Sequence, residues 1–486
     1  MNRRAISIYI GYLLGVEGVF MLPALAIAAY HNELPSVKGF AIAMAALLVS
    51  AALLIRQKRP TDAGVYAREG FVTVSLGWIL ISLFGALPFF ISGAIPSFLD
   101  CWFETVSGFT TTGSSILTDV EVLPRSMLYW RSFTHWLGGM GVLVFMLAVV
   151  PLAKGSGETF HLLRAESPGP SVDKLAPTMR HSARILYSIY IALTLLQIAL
   201  LLLGGMPLFD SVLNTFGTAG TGGFSIKNAS IGAYDSAYLQ AVIGVFMALF
   251  GVNFSIYYLL LLKQFRAAFR NEELRLYVGI ILLTTAVIAV DILPQYADAG
   301  AGKAVLDSFF QVSSVMTTTG YATANFDKWP QLSRFLLVML MIIGASAGST
   351  GGGFKVSRLL ILWKAVKNQM QTMLRPRAIR SIQMDGKPLG EGVVRGTYAF
   401  TAVYAVICLT SMLVLTLDDH SMETTVTAVL ACLNNIGPGL DMVGPAGNFS
   451  FFSPLSKIVL SFDMLLGRLE IFPMLLLCMP SVWRRA

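Results

Sequence analysis

Charged side chains are scarce in this chain of 486 residues: Asp, Glu, Lys and Arg make up 13%, where soluble domains approach a quarter. With 55% hydrophobic residues and a mean hydropathy of +0.69, that scarcity excludes an ordinary soluble fold and indicates an integral membrane protein. Cysteine is rare too. The 4 present, Cys101, Cys408, Cys432 and Cys478, lack metal-ligand spacing and read as small apolar packing residues. The 5 histidines are scattered, and His135, beside Trp136, reads as a hydrogen-bonded structural residue. There is no HExxH motif to suggest a membrane protease. A nucleotide-phosphate loop is excluded because Gly353 is followed by Phe354 and not by Lys-Ser/Thr.

Long apolar runs are what the chain has in abundance. Residues 6–30, 37–55, 71–91, 127–152, 185–203, 237–262, 276–293, 393–417 and 455–479 each approach the ~20 residues that a crossing helix needs. A tenth run, 331–367, is interrupted in its middle. The first 30 residues show no small-residue cleavage site, so a retained helix is expected and not a signal peptide. Most of the 35 Lys and Arg fall on one side of these spans, in residues 3–4, 56–68, 154–184, 263–275, 355–395 and 484–485. Basic residues near span ends mark the cytoplasmic side, so both termini are expected there. The same placement assigns the net charge of +8 to orientation and anionic lipid, and removes nucleic acid as a partner.

Four segments align on one glycine each: SFLDCWFETVSGFTTTGSSI (97–116), PLFDSVLNTFGTAGTGGFSI (207–226), AVLDSFFQVSSVMTTTGYAT (304–323) and SMETTVTAVLACLNNIGPGL (421–440). Asp100, Asp210 and Asp307 stand at one register of the first three, and Thr424 takes that place in the fourth. Each segment is a short amphipathic stretch followed by a loop, between two long spans. A helix of about 12 residues covers about 18 Å, less than the ~30 Å hydrocarbon thickness. It must therefore dip in and turn back, and irregular backbone at that depth must be buried in protein or line a water path. The pattern predicts an all-α polytopic membrane protein of about ten transmembrane helices. Four fused span–pore helix–span repeats would surround a pseudo-fourfold pore, after an N-terminal helix pair. The expected units are 1–67, 68–155, 156–265, 266–375 and 376–486.

The loops themselves are Thr110, Thr111, Thr112, Gly113; Gly220, Thr221, Gly222, Gly223; Thr317, Thr318, Thr319, Gly320; and Asn434, Asn435, Ile436, Gly437. None of these residues is ionisable. A carboxylate ring would favour divalent cations and an Arg or Lys ring would favour anions, whereas neutral carbonyls suit a monovalent cation that sheds its water. Beneath the third loop the run Gly344, Ala345, Ser346, Ala347, Gly348, Ser349, Thr350, Gly351, Gly352, Gly353 should break its helix, since each glycine costs about 1 kcal/mol relative to Ala. Such a break would lie where it could obstruct the path, although Gly344 and Gly348 also fit a GxxxG packing surface. Arg468 is an intramembrane charge in need of a partner; Glu470, Asp463 and the carbonyls of 344–353 are the candidates.

At ETVSGFTTTG (104–113), GGFS (222–225), MTTTGYAT (316–323), the glycine-rich 344–353 and NNIGPGL (434–440), the chain resembles the Trk/Ktr/HKT superfamily of potassium transporters. The additional helix pair resembles the TrkH branch. The resemblance implies gated potassium uptake in a bacterial cytoplasmic (inner) membrane, with potassium ion as substrate and the four aligned glycines in a selectivity filter. It further implies that Arg468 latches a gate loop, that the chain forms a homodimer, and that a cytosolic TrkA-type subunit carries any nucleotide. Gly220 and Ile436 depart from the Thr-Thr-Thr-Gly pattern, so the filter should be uneven. A sodium or nonselective monovalent transporter stays open as an alternative, and a membrane-embedded enzyme or a scaffold leaves the four matched loops unexplained.

Overall fold

A computed structural model describes residues 2–56, 67–139, 141, 179–375 and 381–483. It is built almost wholly of helices. The N-terminal pair consists of α1 (Arg3–Phe20) with α2 (Leu22–Tyr30), which read together as one span, and α3 (Leu34–Ile55). The first repeat has an outer pair α4 (Ala67–Gly85) and α5 (Leu87–Ser92), a short α6 (Phe98–Phe109) and an inner α7 (Arg125–Gly139). The same order recurs as α8 (Met179–Leu203), α9 (Leu208–Gly220) and α10 (Ala237–Phe250), followed by α11 (Phe254–Leu261) and α12 (Phe265–Arg270). The third repeat comprises α13 (Glu272–Ile292), α14 (Ala301–Met316), α15 (Gln331–Ile343) and α16 (Val356–Leu374). The fourth comprises α17 (Glu391–Leu415), α18 (Met422–Leu433), α19 (Pro454–Arg468), α20 (Phe472–Cys478) and α21 (Pro480–Trp483).

Among the described residues 6 helices are long and apolar enough to cross a membrane, or 7 if the bent pair α10–α11 is one span. Bulky side chains such as Leu203, Val290, Leu413 and Leu195 stand exposed on these helices, as expected of surfaces solvated by lipid. The short helices α6, α9, α14 and α18 run only 12, 13, 16 and 12 residues. Ser97 and Ser421 cap α6 and α18, accepting the Asp100 and Thr424 N–H, so sequence fixes where these helices begin. A continuous apolar core joins α1, α3 and α4 to α6, α7, α18 and α19, and so packs the N-terminal pair against the first and fourth repeats.

The structure corrects one expectation. Residues 237–262 do not form one straight span, because α10 and α11 meet at 92°. Inner helices outside the third repeat also break, though without a glycine-rich run. The first segments of the inner helices, α7, α10, α15 and α19, run 15, 14, 13 and 15 residues. In the fourth repeat the break falls at Glu470 and Ile471, with φ of +60° and +65°, conformations that cost an L-residue energy. Against the described breaks at 251–253 and 469–471, the third repeat is distinguished by the length of the inserted segment, residues 344–355. The run 127–152 continues past α7 into residues outside those described. The only strands among the described residues form one small hairpin, Gln383–Met384 with Lys387–Pro388. Its turn is Asp385-Gly386 with φ of +51° and +76°, the left-handed pair that favours Asp-Gly.

Candidate functional site

Each short helix ends in the same way. The N–H groups of Thr112, Gly222, Thr319 and Ile436 bond to the carbonyls of Ser107, Gly217, Ser314 and Ala431 at 2.8–2.9 Å. Those of Thr111, Thr221, Thr318 and Asn435 bond to Gly108, Thr218, Val315 and Cys432 at 3.0–3.2 Å. This is a Schellman-type cap, which needs a left-handed residue. Thr111, Thr221, Thr318 and Asn435 supply it with φ of 55°, 55°, 58° and 56°. Two residues on, Gly113, Gly223, Gly320 and Gly437 also have positive φ, at 87°, 75°, 85° and 100°.

The four loops close into a ring. A Cβ on Gly113 would strike the Gly222 carbonyl oxygen, one on Gly223 that of Thr319, one on Gly320 that of Ile436, and one on Gly437 that of Thr112. Each glycine thus faces the carbonyl just before the glycine of the next repeat, in the order one, two, three, four, one. Side chains tie the joints. His135 bridges repeats one and two, with Nδ1 2.8 Å from the Gly108 carbonyl and Nε2 accepting the Phe224 N–H at 3.2 Å. Tyr321 donates to the Asn214 carbonyl at 3.0 Å between two and three. Ser114 donates to the Gly437 carbonyl at 3.1 Å and Asn435 Nδ2 to Thr112 Oγ1 at 2.9 Å, joining four to one.

The Thr hydroxyls of repeats one and three follow one pattern. Thr110 and Thr317 donate to the Val106 and Ser313 carbonyls at 2.7 Å and lie 2.8 Å from Thr112 and Thr319 Oγ1. Repeat two has only Thr221, turned to the Gly220 carbonyl at 2.6 Å. In repeat four, Asn434 donates to Tyr404 and Leu430. The aspartates at the common register lie on the outer flank: Asp100 pairs with Lys457 at 2.6 Å, Asp307 with Lys303 at 2.9 Å, and Asp210 accepts from Tyr234 at 2.8 Å. Where the fourth repeat has Thr424, its hydroxyl donates to Asp441 at 2.8 Å, so a carboxylate is brought in from the following loop.

Segment 344–353 lies directly against the inner face of this ring. Gly352 donates to Thr318 Oγ1 at 2.6 Å, and a Cβ on Gly351 or Gly352 would meet the carbonyl oxygen of Thr317 or Asn434. The bend between α10 and α11 frees backbone groups that the segment takes up. Ser346 donates to the Gly251 carbonyl at 3.1 Å, Phe254 to that of Gly348 at 3.0 Å, and Thr350 Oγ1 to that of Phe250 at 3.2 Å. Non-helical backbone at membrane depth is therefore paired, as it must be. A GxxxG helix surface is ruled out because Gly344 and Gly348 are not helical. Residues 344–348 also spell G-x-S-x-G, the pattern of a hydrolase nucleophile elbow, which needs a strand-to-helix turn and a base. Here the segment follows a helix and the Ser346 hydroxyl has no hydrogen-bond partner.

Arg468 reaches across the centre. Its guanidinium donates to the Thr350 carbonyl at 2.8 Å, Thr111 Oγ1 at 3.1 Å, the Gly139 carbonyl at 2.8 Å and the Gly138 carbonyl. It thereby joins segment 344–353 to the first loop and to the end of α7. Of the carboxylates expected beside it, Asp463 accepts from Ser411 at 2.8 Å and Glu470 forms an ion pair with Arg358. Arg358, lying 3.8 Å over the Phe400 ring, secures the start of α16 just beyond the segment.

Three buried groups add to those expected from the sequence. Glu104 accepts from Arg131 Nε at 2.6 Å, Ser115 Oγ at 2.9 Å and the Ile116 N–H at 2.9 Å, holding the chain that leaves the first loop. Arg131 also donates to the Ser225 carbonyl at 2.9 Å and stacks on Phe224 at 3.5 Å. Lys355, buried with φ of +82°, donates to the Gly351 carbonyl. A signal existed for Glu104 and Arg131, as two charges of opposite sign in apolar surroundings.

A ring of uncharged loops at the centre of a multi-pass helical bundle, closed below by a polar segment, defines a membrane cation-transport protein. The TrkH family model, described as a cation transport protein, matches residues 36–484, and the chain belongs to that family, one of transport and not of catalysis. It is 34% identical over 489 residues to the Trk system potassium uptake protein TrkH of Salmonella typhimurium, with 100% of each chain covered. To the Trk system potassium uptake protein TrkG of Escherichia coli K12 it is 32% identical over 488 residues, with 99% of each covered. The crystal structure of the potassium transporter TrkH from Vibrio parahaemolyticus matches with a TM-score of 0.87 at 30% identity, covering 100% of both chains.

Proposed function

We propose that this chain takes up potassium across a bacterial cytoplasmic membrane, using the four glycine loops as a selectivity filter and segment 344–353 as a gate. The observation that carries the reading is ring closure: four left-handed glycines, each against the carbonyl of the next repeat, in loops whose own residues are not ionisable. Backbone carbonyls replace the hydration shell of a monovalent cation. The C-terminal ends of α6, α9, α14 and α18 add the negative end of the helix dipole below the ring. Potassium is favoured over sodium by the kinship with potassium uptake proteins.

Gating follows from the contacts of Arg468. With the Thr350 carbonyl held, the segment stays under the filter, and the buried guanidinium of Arg468 opposes a cation arriving there. Glu470 keeps the hinge at the end of the gate in place through Arg358. The test is rubidium and potassium uptake in cells lacking their own uptake systems. The chain should restore growth at limiting potassium, and Arg468→Ala or deletion of residues 346–352 should raise flux with selectivity retained. Unchanged or reduced flux in well-inserted variants would overturn the gate, and no growth rescue by the intact chain would overturn the transport reading.

The basic cytoplasmic connections, above all 355–395, support docking of a cytosolic TrkA-type nucleotide-binding subunit, and a second copy of this chain completes a dimer with two pores. Both termini lie in the cytoplasm on this reading, by the charge asymmetry.

A further inference from the structure

The cytoplasmic hairpin and the segment beneath the ring are linked through one end of α13. Asp385, in the hairpin turn, accepts from Asn271 Nδ2 and from the Glu272 N–H, both at 2.8 Å. Asn271 in turn accepts the Leu274 N–H at 2.9 Å as the cap of α13. The first N–H groups of a helix have no partner within it, so the order of this turn depends on these two side chains. Glu273, buried in the same turn, accepts the Ala347 N–H at 2.7 Å. Lys364 of α16 bonds both to the hairpin, at the Gln383 carbonyl at 2.7 Å, and to Glu272. Since α16 directly follows the segment and α13 reaches it through Glu273, the hairpin holds two elements joined to it, while Asp385, Gly386, Lys387 and Pro388 remain exposed.

We propose that the hairpin 383–388 is a lever on the gate, and that Glu273 and Asp385 are positioning residues. With Asp385 seated, the first turn of α13 is ordered and Glu273 holds the Ala347 backbone. Displacement of the hairpin uncaps that turn and releases the segment. A cytosolic protein binding the exposed turn would thus control the pore without touching it. This rests on reading segment 344–353 as the gate.

The test uses the purified full chain in proteoliposomes, with rubidium uptake as the readout, for Glu273→Ala, Asp385→Ala, their double variant, Glu273→Gln and the chain lacking residues 346–352. Glu273→Ala and Asp385→Ala should each raise basal uptake about fivefold or more, the scale of a coupling of ~1 kcal/mol. Because both act through one contact, the double variant should be no leakier than Glu273→Ala alone. Glu273→Gln keeps an acceptor for Ala347 and should restore most of the closure lost in Glu273→Ala. The lever is overturned if the loop-shortened chain leaks while Asp385→Ala does not, or if the two single effects multiply. If the loop-shortened chain does not leak, the gate reading fails and takes the lever with it. Should Asp385→Ala fail to insert, Asp385→Gly, which also removes the acceptor and suits the left-handed turn position, completes the same cycle.

Discussion

Alanine at the four ring glycines should not be equally harmful, and the ranking can be worked out from the geometry. All four have positive φ, which costs an L-residue about 1–3 kcal/mol. The second cost differs by site. At Gly113, Gly223 and Gly320 the added Cβ would overlap the neighbouring carbonyl oxygen, and that carbonyl belongs to another loop of the ring. Relief requires moving the neighbour, at about 1–3 kcal/mol for overpacking. At Gly437 the nearest atom is the Thr112 oxygen at 2.9 Å, followed by the Gly113 carbonyl carbon at 3.2 Å, a shortfall of a few tenths of an ångström. Gly437→Ala should therefore disturb the ring less than the other three by about 1–3 kcal/mol, which is roughly fivefold to 150-fold in the population of undistorted filter. The assay is sodium competition against rubidium uptake, with thermal unfolding in detergent as the check on folding. Gly113→Ala, Gly223→Ala and Gly320→Ala should lose potassium preference, and Gly437→Ala should keep more of it. Equal loss at all four, or full selectivity in Gly223→Ala, would refute the claim that each glycine is there to admit its neighbour's carbonyl.

Other consequences concern the scaffold. Glu104→Ala leaves the Arg131 guanidinium buried without its carboxylate and should cost about 3–5 kcal/mol, read as a lowered unfolding midpoint and loss of selective uptake. At the outer mouth, hydrogen bonds from Ser421 and Thr424 hold the Asp441 carboxyl below its ordinary range. A lowered folded pKa gives stability that is complete above the unfolded value and lost as pH falls through the folded one. Uptake near neutral pH should therefore be insensitive to small changes of pH through Asp441, which stays ionised there, while Thr424→Val, which removes one donor, should shift the acid limb of activity to higher pH.

How far these features could be read in advance depended on whether they repeat. Four short helices, their loops and the glycine register recur along the chain, so alignment alone isolates them, and the length of each helix forces it to turn back within the membrane. Among the described residues the inner helices of the second, third and fourth repeats all break, after 14, 13 and 15 residues, but only the third does so through a glycine-rich run. At 251–253 and 469–471 the sequence offers one Gly, one Asn and no Pro; at the first the freed backbone groups find partners on segment 344–353, and at the second the N–H groups of Leu469, Glu470 and Ile471 turn back to the carbonyls of Leu465, Gly467 and Leu466. Arg468 was legible as a charge out of place. Of the partners the sequence offered for it, the carbonyls of 344–353 include one that it meets, that of Thr350, while Asp463 accepts from Ser411 and Glu470 pairs with Arg358.

By itself, then, the sequence determined the class of the protein, its apolar spans and the four uncharged loops, because hydropathy, helix length and glycine's backbone freedom are local properties. Only the tertiary structure decided the cyclic order of the loops, the seating of segment 344–353 against Thr318 and Asn434, and the connection from Asp385 through Glu273 to Ala347. Those depend on hydrogen bonds and packing between residues as much as several hundred positions apart, which no local pattern encodes.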